Sequence, residues 1–369
     1  MEGNSSSDTT RNSALWTAGN SSKRELYRIV VPLMLTMCLV SMVFNVVIVS
    51  SVKWVRRTVS PTLCFSLSLA AADAYASLIL GLGLVVNSLL PEVYGTRIRT
   101  RCLALILEAF RLGGLSVSVY HLLALTLNHY VGIVRPLHYA ATVTRRTVAA
   151  TVTGIWMGSL CFFFLYFSSV HNQGFQSPYC GVNEFYQLST FRIIVSTFFF
   201  LPMVSMTAVY CHIFFVVRQH QQRHLQVPSS RQLHRSVKAV VTTLLILGTY
   251  LLCWMPAVLF FAVSCLDCVA PYTQIPETVL LPVGIVTNSL IILKSLVNPI
   301  IYAARMPEIR EALHAMVPTN CEVRPLRVMA RQRTLLRRAS TFSTSTRMAS
   351  FRCSTHNQHH ISRCDESYT

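Results

Sequence analysis

Acidic side chains are the scarcest chemical resource in this chain. Its 369 residues hold 14 Asp and Glu against 32 Lys and Arg, and charged residues together make up 12%, about half the ~25% usual in soluble domains. So few acids leave little for carboxylate catalysis. The apolar stretches contain almost no acid pairs, no His/Cys/Asp cluster at metal spacing, and no nucleophile with a base at a helical offset. An enzyme is therefore disfavoured, and neither cofactor nor metal is expected. Cys265 and Cys268 have the spacing of half a zinc site, but no second half exists. Internal repeats and interrupted spans are missing, which disfavours a transporter. A signal-peptide core is missing from the N-terminus, so the first apolar stretch is expected to act as its own insertion signal.

What the chain has in abundance is apolar length: 52% of its residues are hydrophobic. A helix needs about 20 mostly apolar residues to cross ~30 Å of hydrocarbon. Seven stretches qualify, near 27–52, 62–90, 102–130, 148–168, 191–217, 237–263 and 278–303. The pattern predicts an all-α membrane protein, a seven-transmembrane helix bundle over 27–303 with a short amphipathic helix after the seventh span. Residues 1–26 are expected to be an extracellular, glycosylated N-terminus. Its Asn4-Ser5-Ser6 and Asn20-Ser21-Ser22 are acceptor sequons.

Basic residues set the expected orientation. With the N-terminus outside, Lys53, Arg56, Arg57, Arg135, Arg145, Arg146, the 218–238 cluster and the arginines of 305–363 all lie inside. Fewer lie outside, which favours N-out and C-in at the plasma membrane. The net charge of +18 thus belongs to loops and tail facing anionic lipid, and nucleic acid is not an expected partner. In 304–321, Ile309, Leu313 and Met316 fall on one side of a helix suited to the inner leaflet. Cys321 follows at a spacing suited to palmitoylation, or is a plain reduced thiol. The basic segment 322–369 is expected to be disordered. In it, Ser340 follows Arg337-Arg338-Ala339 as a kinase acceptor would.

Short motifs recur in order along the spans. They are Leu69-Ala70-Ala71-Ala72-Asp73, Trp156, Pro202 with Tyr210, Cys253-Trp254-Met255-Pro256 and Asn298-Pro299-Ile300-Ile301-Tyr302, with Pro136, Leu137 and Tyr139 after the third span. Over about residues 27–316 the chain resembles the rhodopsin-like (class A) family of G-protein-coupled receptors, without pointing to a subfamily. The resemblance implies a receptor for an extracellular ligand that signals to a heterotrimeric G protein and arrestin through movement of the sixth and seventh helices. It implies a Cys102–Cys180 disulfide over the pocket mouth and a ligand floor at Trp254. It also implies a G-protein plug at Leu137, with Tyr130, Tyr210 and Tyr302 in the activation machinery. Pro256 and Pro299 each remove an intrahelical hydrogen bond and supply the kinks on which helices swing. A second, short disulfide between Cys265 and Cys268 is plausible.

Three departures from the family pattern matter. The third span ends Asn128-His129-Tyr130 where an Asp-Arg-Tyr is usual, so acid and base are both gone. Three readings follow: a coupling receptor with a looser resting state; a decoy, partner subunit or arrestin-biased receptor with little G-protein output; or pH-dependent signalling through His129. Next, the family's small polar site, often holding sodium, maps to Asp73, Ser118, Ser295 and Asn298, with Lys294 in place of a neutral residue. Lys294 either pairs with Asp73 as a tethered cation or snorkels through a wet crevice. Finally, Arg111 stands where amine receptors carry an acid, three residues from Glu108. Arg111 binds an anionic ligand group, helped by Arg97, Arg99 and Arg101 at the pocket rim, or Arg111 and Glu108 neutralise each other. Asn288 is a further pocket candidate.

Overall fold

The computed structural model describes residues 5–55, 58–96, 101–223, 230–268 and 271–316. Nine α-helices run through them: α1 (Ser5–Ser50), α2 (Pro61–Leu84), α3 (Arg101–Val134), α4 (Pro136–Thr142), α5 (Arg145–Ser169), α6 (Ser189–Arg223), α7 (Ser230–Val263), α8 (Glu277–Arg305) and α9 (Pro307–Met316). Seven of them form the bundle, with α4 as a short connector and α9 as the helix after the last span. Six are long and apolar enough to cross a membrane, and α7 is apolar over Leu247–Val263.

Local signals explain the boundaries. The Ser60 hydroxyl accepts from the Leu63 amide at 3.2 Å, and Pro61 opens α2 where no N–H is needed. Thr144 caps α5 in the same way through the Thr147 amide. Past Leu84 the backbone widens into a π-helical stretch, Val85–Val93, which contains Pro91; a residue without an N–H cannot continue the ordinary ladder. The helix α1 starts well before the apolar stretch at 27. Hydropathy marks the hydrocarbon, whereas the backbone ladder continues into polar sequence.

The centre of the bundle is α3, which packs against α2, α5, α6 and α7. Small residues allow close approach, as is usual where helices meet in a membrane. Gly113 faces Leu160 and the Ser159 carbonyl of α5, and Gly114 faces the Tyr75 ring of α2. A Cβ on Gly114 would sit 2.5 Å from Tyr75 Cε1. Tyr75 is wedged edge-on between Phe110 and Trp156 and has no easy escape. Gly114→Ala is therefore expected to cost about 1–3 kcal/mol of stability by overpacking, read as a lower unfolding temperature in detergent; an unchanged temperature would mean that Tyr75 moves freely.

Buried polar groups tie the helices together. The Asn45 amide donates to the Ser41 and Ser295 carbonyls, both at 2.9 Å, which joins α1 to α8. Trp156 Nε1 donates to Ser68 Oγ at 3.2 Å, and Ser68 Oγ meets His121 Nε2 at 2.8 Å. His121 Nδ1 reaches the Val117 carbonyl at 2.8 Å. A carbonyl only accepts, so Nδ1 carries the proton and Nε2 accepts from Ser68. This chain links α2, α3 and α5. The helix α9 buries Ile309 and Ala312 and packs Leu313 against the core, while Met316 is half-buried.

Candidate functional site

Asp73 on α2 is the hub of the bundle interior. Lys294 Nζ from α8 lies 2.9 Å from its Oδ1, Ser118 Oγ from α3 donates to the same oxygen at 2.8 Å, and Ser295 Oγ lies 3.5 Å away. Asn298 Nδ2 donates to Oδ2 at 2.6 Å. Both charged side chains are 1% exposed. The helical spacing of Lys294 and Asn298, one turn apart, puts both on the same carboxylate. A sodium ion does not fit this arrangement. Donor groups converge on the carboxylate, and an ammonium already supplies the positive charge. Among the described residues this is the one ion pair so deeply buried; the other pairs all keep contact with solvent.

Trp254 on α7 is 3% exposed. Its ring stacks on Tyr250 and tilts against Phe199 at 5.0 Å. The Tyr250 hydroxyl donates to the Phe199 carbonyl at 3.2 Å, three residues before Pro202 in α6. Pro256 faces outward from α7, whereas Pro299 and Tyr302 are buried in α8.

The Cys102–Cys180 disulfide ties α3 to the loop between α5 and α6, and Cys265 is bonded to Cys268. Next to the first bond, Arg101 reaches the Gly181 carbonyl. Arg111 grips Glu108 through Nε and Nη2, and the Tyr186 hydroxyl of the loop also donates to Glu108. Tyr186 belongs to an aromatic cluster with Phe167, Phe185, Phe191 and Phe261. Asp267 accepts from the Ser189 amide and hydroxyl at 2.7 and 2.6 Å, capping α6. Those bonds hold its carboxyl below the usual carboxylate range.

Asn288 donates to the Gly284 carbonyl and lines a cavity of about 310 Å³ between α1, α2 and α8, whose lining includes neither Arg111 nor Trp254. Arg97 and Arg99, two of the three arginines expected at the pocket rim, lie outside the described residues.

At the opposite end, Asn128 is engaged on both sides of its amide. Its amide donates to Thr62 Oγ1 and its carbonyl accepts from the Tyr139 hydroxyl, both at 2.9 Å. These bonds fasten α3 to α2 and α4. Burial pushes the Tyr139 hydroxyl up in pKa, and the bond to Asn128 opposes the shift. His129 is half-buried and makes no hydrogen bond among the described residues. Tyr130 packs on His212 at 5.6 Å, and Thr126 Oγ1 donates to the Tyr210 hydroxyl at 3.2 Å. Leu137 on α4 is 93% exposed.

A family model described as "7 transmembrane receptor (rhodopsin family)" matches residues 44–302. The chain belongs to that family. Relatives include the histamine H2 receptor of Cavia porcellus, 27% identical over 79% of this chain and 80% of that protein. The histamine H2 receptor of Rattus norvegicus is 28% identical over 75% and 76%. The protein is thus a rhodopsin-family receptor and not an enzyme. It is a multi-pass protein of the plasma membrane that takes an extracellular ligand and couples to a G protein.

Sequence reasoning missed several contacts of this receptor. Nothing local marks Tyr186 as the lid on Arg111 and Glu108, Thr62 as the partner of Asn128, or Asp267 as the cap of α6. Their sequence separations of 75, 66 and 78 residues place them beyond any periodic pattern. Asn4, Cys321 and Ser340 lie outside the described residues, and the side chain of Asn20 does too.

Proposed function

We propose that this receptor lies N-terminus outside and binds an anionic ligand group at Arg111 within the disulfide-tied end of the bundle. The observation that supports an anion is the donor count at Arg111. A guanidinium has five N–H groups; Glu108 and Tyr186 engage Nε and Nη2. Nη1 can therefore meet an anion while the pair with Glu108 stays intact. A cationic amine, by contrast, would compete with Arg111 and Tyr186 for one carboxylate that already has donors. This distinguishes the chain from what the names of the histamine H2 receptors describe.

The signal then passes to the stacked rings of Trp254, Tyr250 and Phe199 and to the kinks at Pro256 and Pro299. Movement of α7 and α8 opens the opposite end, where Leu137 inserts into the G protein. The Lys294 ammonium acts as a tethered cation on Asp73, in the role that sodium has in many relatives. Asn4 and Asn20 carry glycans, Cys321 a palmitoyl chain and Ser340 a phosphate that recruits arrestin. The tail and α9 rest on anionic lipid.

The neutral Asn128 and His129 lack a charged latch, so the resting state is loose. Ligand-free recruitment of G-protein classes in cells tests this, with wild type beside Asn128→Asp/His129→Arg. Wild-type signal above empty vector is the expected outcome. Silence in the wild type with signal in the double variant would instead favour the second reading, a decoy, partner subunit or arrestin-biased receptor. What favours that second reading is the engagement of Asn128 by Thr62 and Tyr139, which fastens α3 to its neighbours.

A further inference from the structure

The cavity that Asn288 lines has a shape and a chemistry of its own. One wall is α1, with Lys23, Val30, Val31 and Met34; the other is α8, with Glu277, Leu280, Leu281 and Ile285; Leu84 and Ser88 close it from α2 and its π-helical extension. On both α1 and α8 the lining spans twelve residues, about 16 Å along the axis at a rise of 1.5 Å per residue. The lining extends over that length while the volume is about 310 Å³, so the cavity is narrow for its length. The cavity is a slot.

The slot is lined mostly by aliphatic side chains, with Tyr27, Ser88 and Asn288 as polar interruptions and a charged pair at one end. Lys23 Nζ meets Glu277 Oε1 there at 2.8 Å, with the lysine side chain 30% exposed and the glutamate 69% exposed. The two partners are unequal. Glu277 keeps most of its water, so leaving Lys23 costs it little. Lys23 sits further in, at the head of the slot. An incoming carboxylate can replace Glu277 on the ammonium like for like.

We propose that this slot binds a single-chain carboxylate, a fatty-acid-like anion whose head takes Lys23 and whose chain lies between α1, α2 and α8. The site is separate from Arg111 and its occupancy is read by binding alone, so it stands or fails apart from the signalling reading above.

Gly284 provides the decisive variant. A Cβ there meets nothing within 4 Å, and Gly284 is itself a lining residue of the slot. Gly284→Leu therefore adds an isobutyl group to the slot wall from a Cβ that has room, and removes a helix-weakening glycine from α8. The test is saturation binding of radiolabelled dodecanoate to full-length receptor in lipid nanodiscs, with empty nanodiscs as background. Saturable binding is expected, weakened about tenfold in Lys23→Gln and lost in Gly284→Leu, with 1-dodecanol unable to compete. Binding no greater than in empty nanodiscs overturns the proposal, as does binding unchanged in Gly284→Leu. Equal competition by 1-dodecanol overturns the role of Lys23.

Discussion

Lys294→Ala is expected to destabilise the receptor by about 3–5 kcal/mol, because it strands the Asp73 carboxylate in the bundle interior. Asp73 would keep its bonds from Ser118 and Asn298 but lose the charge that balances it. Hydrogen bonds orient a carboxylate; they do not neutralise it. The double variant Lys294→Ala/Asp73→Asn, which removes both charges, should recover most of the loss. The same truncation opens space beside a bare carboxylate that already has hydroxyl neighbours. Sodium, but not a bulky organic cation at equal ionic strength, should then raise the unfolding temperature of Lys294→Ala while leaving the wild type unmoved. Sodium-sensitive wild type, or a sodium-indifferent variant, would count against the tethered-cation reading.

The second large effect concerns the Cys102–Cys180 disulfide. Its cysteines are 78 residues apart, and loop-closure entropy puts the stabilisation at about 4.5 kcal/mol. Cys265 and Cys268 are 3 apart, and the same relation gives only about 2 kcal/mol. Cys102→Ser should therefore reduce surface expression and unfolding temperature clearly more than Cys265→Ser. It should also disturb ligand binding, because the loop that Cys180 anchors carries Tyr186 over Arg111 and Glu108. An equal loss from both variants would mean that the long loop is held by its aromatic packing rather than by the bond.

The polar hub shows how far sequence reasoning reaches. Lys294, Ser295 and Asn298 share one helix, so their common face follows from a period of 3.6 residues. An ammonium within an apolar span needs an anion, and Asp73 is the only acid in the middle of the seven spans. Arg111 and Glu108 were legible for the same reason, being three residues apart on α3. The placement of Asn288 was not. Its spacing above Lys294 pointed to a pocket, but that it lines a cavity between α1, α2 and α8 depends on how those helices pack.

The amino-acid sequence by itself determined the class of the molecule. Runs of apolar residues long enough for a bilayer dictate spanning helices, because a backbone in hydrocarbon must satisfy its own hydrogen bonds. It also determined which helix faces are polar, since those follow from local periodicity. Only the tertiary structure decided which faces meet. Tyr186 covers Arg111, Thr62 and Tyr139 hold Asn128, Tyr75 fills the space at Gly114, and Lys23 meets Glu277 across the mouth of a slot. Most of these contacts join residues far apart in the chain, and they depend on how helices pack and loops close. Neither hydropathy nor periodicity, which act over a few turns, carries that information.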